Sequence, residues 1–135
     1  LIKNLYLNDW VPYKEISKIL SNMDILLMPY VSSIKVVGNV GDITSFTSPL
    51  KLFDYLSAGK IIICSNFNVL KEAIKDKKNA IFIKNYTNAF SWKNEIQKLK
   101  NQPNKQLIIS KNNHRLSKQY SLTHRAKTIL EVIKV

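Results

Sequence analysis

The stretch TSPLKLFDYLSAGK, residues 47–60, holds a helix with clear limits and a lysine in an unfavourable place. Ser48 suits the N-cap because its hydroxyl can accept from a free backbone N–H, and Pro49 suits the first helical position because its missing donor would go unpaired there anyway. Gly59 supplies the stop. On a helical wheel Leu50, Leu52, Phe53 and Leu56 form one apolar arc, and Ser48, Lys51, Asp54, Tyr55 and Ala58 share the other side. Lys51 thus stands in the first turn, where the dipole opposes a cation by roughly 0.3–1 kcal/mol at an exposed site. A bound anion reverses that balance, since free N–H groups, a dipole and a lysine together suit a phosphate. The competing reading is a plain surface helix with a weak Lys51–Asp54 pair at i,i+3.

The flanking elements bear on the choice. DILLMPY (24–30) and KIIICSN (60–66) are short, unbroken apolar runs, the mark of strands buried on both faces of a parallel sheet. NAIFIKN (79–85) reads as a third such strand, and the alternating IKNLYLN (2–8) as one before them. Between them, PYKEISKILSNM (12–23), the helix after Pro49 and VLKEAIKD (69–76) have helical spacing. This alternation predicts an α/β domain with a doubly wound parallel sheet, Rossmann-like, and DILLMPY and KIIICSN as interior neighbours. Three further helices are expected at the C-terminal end: NAFSWKNEIQKLK (88–100), NKQLIISKNNHRLSKQY (104–120) and SLTHRAKTILEVI (121–133), the last behind a Ser121 cap. In such a sheet ligands bind beyond the carboxyl ends of the strands. The long polar segment from about Val31 to Thr47 leads from the end of DILLMPY to Ser48, so Lys51 falls on the ligand side.

The 135 residues, 45% of them apolar, suffice for one domain with a real core, residues 1–135. The chain opens on Leu1 and reads as part of a longer protein. No apolar run is long enough to span a membrane. Cys64, the single cysteine, lies within an apolar strand and excludes disulfide and cysteine–metal chemistry. His114 and His124 lack a second ligand at metal spacing. The net charge is +12, carried mainly by lysines scattered along the chain without an arginine-rich, aromatic-studded motif. Nucleic acid is therefore not the expected partner, and an anionic membrane surface is the better electrostatic candidate.

The ordered set MDILLMPY, a loop, TSPLKLFDYLSAGKIIICSNFNVLKEAI, NAIFIKN, a tryptophan and YSLTHRAKTIL resembles the C-terminal, donor-binding half of GT-B fold glycosyltransferases, of the family 4, group 1 type. That resemblance implies a nucleotide-diphosphate sugar donor and retaining transfer without a metal or other cofactor. It puts Asp54 at the second acid of an E-x7-E pattern, on the ribose hydroxyls. Backbone N–H groups around Thr47, Ser48 and Leu50 would hold diphosphate and sugar, with Lys51 on the diphosphate, and Trp10, Val11 and Pro12 would brush the base. The first acid of the pattern falls at Phe46, so sugar recognition would rest on neighbours such as Asp42 and Thr47. The resemblance further implies a cytoplasmic enzyme, peripheral on the inner face of the plasma membrane, acting on a glycan or glycolipid acceptor held by a separate N-terminal domain. This chain alone would bind donor without turnover. Alternatives are a non-catalytic nucleotide-sugar or polyanion-binding module and a nucleotide-sugar epimerase of the same architecture.

Overall fold

Five consecutive residues, Ile61–Ser65, are shielded on both faces, as expected of an apolar run that no charged residue interrupts. In the computed structural model, which describes residues 4–30 and 49–133, they form β2, the middle strand of a three-stranded parallel sheet. Its neighbours are β1 (Ile25–Met28) and β3 (Ala80–Ile83), with Ile25 opposite Ile61 and Ile62 opposite Ala80. The helices are α1 (Tyr13–Ser21), α2 (Leu50–Ser57), α3 (Asn68–Ala73), α4 (Ala89–Lys100), α5 (Pro103–Gln119) and α6 (Leu122–Ile133). The sequence thus forms the expected α/β architecture, a parallel sheet flanked by helices.

Each face of the sheet has its own core because alternate side chains point opposite ways. Met28, Ile62, Cys64 and Ala80 meet Leu52 and Leu56 of α2, Leu70 of α3 and Ile74 on one side. On the other, Ile61, Ile63, Ile81 and Ile83 meet Leu99 of α4 and Ile109 of α5. Each such side chain contributes about 1.5–3 kcal/mol when fully buried. Ile109 of α5 joins the second cluster whereas Leu116 joins the first, so α5 crosses the amino-terminal end of the sheet. It is latched there: Ser110 Oγ donates to the Gly59 carbonyl at 2.6 Å and Asn113 Nδ2 to the Lys60 carbonyl at 2.8 Å.

Several expectations change. Residues 4–8 of the segment IKNLYLN form no strand, and Leu5, Tyr6 and Leu7 are exposed; a strand requires a hydrogen-bonding neighbour, and no described element provides one. β1 is an edge strand of the described sheet and is not buried on both faces, since Leu27 is 41% exposed where α4 and α5, packed over β2 and β3, do not reach it. Pro49 occupies the N-cap, one position before the helix proper, with no side-chain cap, and Ser48 lies outside the described residues. Leu50, assigned to the apolar arc, is 75% exposed because the first turn projects beyond the sheet. The helix expected over 69–76 ends at Ala73, where Ile74 turns extended (φ −132°) to reach the core. The helix behind Ser121 forms as read, with the His124 N–H on Ser121 Oγ at 3.2 Å, but none of its residues is buried among the described ones.

Gly59 ends α2 in the left-handed region at φ +64°, and a Cβ built there would meet nothing closer than His114 Cβ at 3.6 Å. The cost of a side chain is therefore backbone strain alone. Gly59→Ala should lose about 1–2 kcal/mol in denaturant unfolding, and Gly59→Asn should lose less because asparagine tolerates this conformation. An unchanged midpoint for Gly59→Ala would show that α2 does not end in this way.

Candidate functional site

β1 and β2 run parallel and α2 returns between them, ending at Ser57 shortly before β2 begins. The start of α2 must then project at the carboxyl ends of the strands. Near the same end, Ser65 Oγ donates to the Tyr30 carbonyl at 2.8 Å, tying the end of β2 to the residues after β1. The helix has no intrahelical acceptor for the Leu50 and Lys51 N–H groups, whereas the Leu52 N–H is bound by the Pro49 carbonyl at 2.8 Å. Pro49 is buried and Lys51 exposed. Lys51 makes no ion pair among the described residues, and the Lys51–Asp54 pair of the plain surface reading does not form.

Asp54 is half-buried and turns toward α1, where Tyr13 Oη donates to its Oδ1 at 3.0 Å. The two helices enclose a cavity of about 140 Å³ lined by Tyr13, Ile16 and Leu20 from α1 and Asp54, Ser57 and Ala58 from α2. The Tyr13 phenol is raised above its ordinary value, first by its hydrogen bond to the Asp54 carboxylate and then by that carboxylate's charge. Tyr55, one residue on, is raised mainly by burial, with lesser contributions from Tyr30 and Asp54. Its hydroxyl lies 3.5 Å from the Leu27 carbonyl. Tyr13 is the residue that the sequence reading missed. It belongs to a different helix 41 positions away, and its only signal was its place immediately after Pro12.

The remaining expected site residues separate into two groups. Thr47 and Ser48, together with Asp42 and Phe46, lie outside the described residues. Trp10 is 85% exposed, so it does not serve as a core residue, and Val11 is half-buried. No aromatic contact or hydrogen bond ties Trp10 to α2 among the described residues. These residues also hold no group of three or more potential metal ligands. No helix among them is long and apolar enough to cross a membrane.

A parallel sheet with a crossover helix starting at its carboxyl edge makes this a Rossmann-like α/β domain, and the first-turn lysine and the carboxylate one turn on stand at the end of the sheet where such folds hold their ligands. The chain belongs to the glycosyl transferases group 1 family, whose model matches residues 1–116. No curated protein and no solved structure gives a significant match. The matched residues include the whole described sheet and α1 to α4, and stop within α5. The chemistry of this family is glycosyl transfer.

The Tyr13–Asp54 bond makes a prediction in solution. The protonated phenol is favoured in the fold, so its contribution to stability is present below the ordinary tyrosine value and is lost as pH rises through the higher folded value. Carbon-13 NMR titration of labelled tyrosines should show Tyr13 titrating above an unperturbed tyrosine. Asp54→Asn should return Tyr13 toward normal and move Tyr55 less. If Tyr13 titrates identically with and without the carboxylate, the bond does not persist in solution.

Proposed function

We infer that this chain is the donor-binding part of a retaining, metal-independent glycosyltransferase that takes a nucleotide-diphosphate sugar. The observation that carries the reading is the exposed Lys51, without an ion pair among the described residues, in the first turn of α2 at the carboxyl edge of the parallel sheet. A lysine opposed by the dipole is favoured there once a diphosphate is bound. Its value rises further as glycosyl transfer proceeds, because negative charge builds on the departing diphosphate and Lys51 with the helix start stabilises that charge more than the ground state.

The other roles follow from reach. Tyr13 engages Oδ1 of Asp54, which leaves Oδ2 to accept from ribose hydroxyls without breaking the existing bond. Backbone N–H groups of Thr47, Ser48 and Leu50 would complete the phosphate and sugar contacts, and exposed Trp10, with Val11 beside it, offers a face to the base. Acceptor recognition, by a glycan or glycolipid, would come from an N-terminal domain outside this chain. The enzyme would work in the cytoplasm in cell-envelope polysaccharide or glycolipid synthesis, drawn to the anionic inner membrane surface by its net charge of +12. Phe46, in place of an acid, favours a second reading as a donor-binding module without transferase activity.

Lys51→Glu separates donor binding from a plain surface helix. An acid in the first turn suits the dipole, so the melting temperature should equal or exceed that of the parent. Calorimetric binding of nucleotide-diphosphate sugars to the intact protein should be lost. Asp54→Ala should keep the fold and weaken binding by one or two charge-assisted hydrogen bonds, roughly 1.5–3 kcal/mol each. A Lys51→Glu protein that binds donor as tightly as the parent would overturn the assignment.

A further inference from the structure

At the opposite end of the sheet, where the chain enters β3, a second cavity of about 270 Å³ opens between the turn before that strand and α5. Its polar wall is made of Lys75, Lys78 and Arg115 with the side-chain amides of Asn79, Asn112 and Gln119, and no acidic residue lines it. The cations are not neutralised locally. Lys98–Glu95 is the one salt bridge among the described residues, so none of the three has an acidic partner within ion-pair distance there.

The wall is also fixed before any ligand arrives. The Lys75 carbonyl accepts from the N–H groups of Lys78, Asn79 and Ala80 at 3.3, 2.9 and 3.4 Å. The Lys77 N–H returns to the Ala80 carbonyl at 2.7 Å, holding Lys77 at φ +57°. Asn112 Nδ2 donates to the Lys78 carbonyl at 3.0 Å, which joins this turn to α5. Asn79 is only 4% exposed; its Oδ1 accepts from the Lys75 N–H at 3.3 Å, and its Nδ2 makes no hydrogen bond among the described residues. A nearly buried amide with no hydrogen bond from its Nδ2 among the described residues thus lines the same cavity as three cations. Arg115 also lines the adjoining cleft with Lys111 and Lys118, which extends the positive surface along α5. Cations near the ends of α3 and α5 are partly accounted for by the helix dipoles. That account gives no reason for them to meet amide donors around one cavity from two separate elements.

We propose that this cavity is a binding site for a phosphate-type anion, separate from the site at the start of α2. The chemistry is that of a compact, multiply charged oxyanion. A guanidinium can contact two of its oxygens at once, two ammonium groups supply charge, and the amides supply directed donors. Free phosphate or pyrophosphate and a phospholipid headgroup present the same group, and both fit the surrounding positive surface.

The test uses the intact protein at physiological salt, with nitrogen-15 NMR of backbone and side-chain amides during titration with inorganic phosphate and pyrophosphate. The Asn79, Asn112 and Gln119 side-chain amides should shift saturably, at roughly millimolar ligand. The double variant Lys78→Glu/Arg115→Glu, shown to be folded by its spectrum, should bind roughly tenfold more weakly or worse. A parallel arm sediments the protein with vesicles of phosphatidylcholine alone or mixed with phosphatidylglycerol. Vesicle binding lost in the variant identifies a headgroup, and saturable shifts without it identify a soluble anion; either supports the site. Shifts confined to residues 49–54, or phosphate and vesicle binding equal in parent and variant, would overturn it.

Discussion

The rest of this fold depends on the complete desolvation of β2. All five of its residues are buried, it bonds in parallel to a strand on each side, and both hydrophobic clusters draw residues from it. A strand in that position tolerates neither a polar side chain without a partner nor a shift in register, because a slip of one residue would exchange the two faces. Its one polar member, Ser65, is satisfied by the Tyr30 carbonyl. The thiol of Cys64 is pushed up to about 12, by burial first and then by the Asp76 carboxylate. It therefore remains protonated and behaves as a small apolar group.

What holds β2 at its amino end is polar. The carbonyls of Gly59 and Lys60 lie between the end of α2 and the start of the strand and have no ladder partner. Ser110 and Asn113 of α5 satisfy them. Asn113 is fully buried and its Oδ1 has no partner among the described residues, so the latch carries a cost of about 1–3 kcal/mol against the bond it makes. The left-handed Gly59 allows the close approach, since the reversal brings two successive carbonyls to face one helix.

Most of this organisation was legible in the sequence because it follows from short-range patterns. Apolar runs marked the three described strands, and apolar spacing together with end signals marked the six described helices. Ser121 and Gly59 marked ends that the structure confirms. Features that depend on distant partners were not legible. The alternation in residues 2–8 describes a face that a strand could bury and not the neighbour it needs. The exposure of Leu27 depends on how far α4 and α5 extend, and that of Leu50 on how far α2 projects past the sheet. At the candidate site the lysine in a first turn could be found by local reasoning, whereas the Tyr13–Asp54 bond could not. The basic cavity escaped for the same reason: Lys75, Lys78 and Arg115 look scattered along the chain until α5 folds back over the turn before β3.

The two proposed anion sites lie at opposite ends of strands four or five residues long, roughly 13–17 Å apart along the sheet. That separation exceeds the Debye length of about 8 Å at physiological ionic strength, so a charge at one end is largely screened from the other. At about 0.01 M salt the screening length grows to about 30 Å and the whole net charge acts as one field. Most of the lysines then attract any anion to any face, whatever the local geometry. Site-specific affinity of the kind proposed at these two places would therefore belong to the screened regime. There the contribution of Lys51 with its helix start and that of Arg115 with its surrounding amides should be additive, since no charged group is shared between them and a sheet with a buried middle strand separates them.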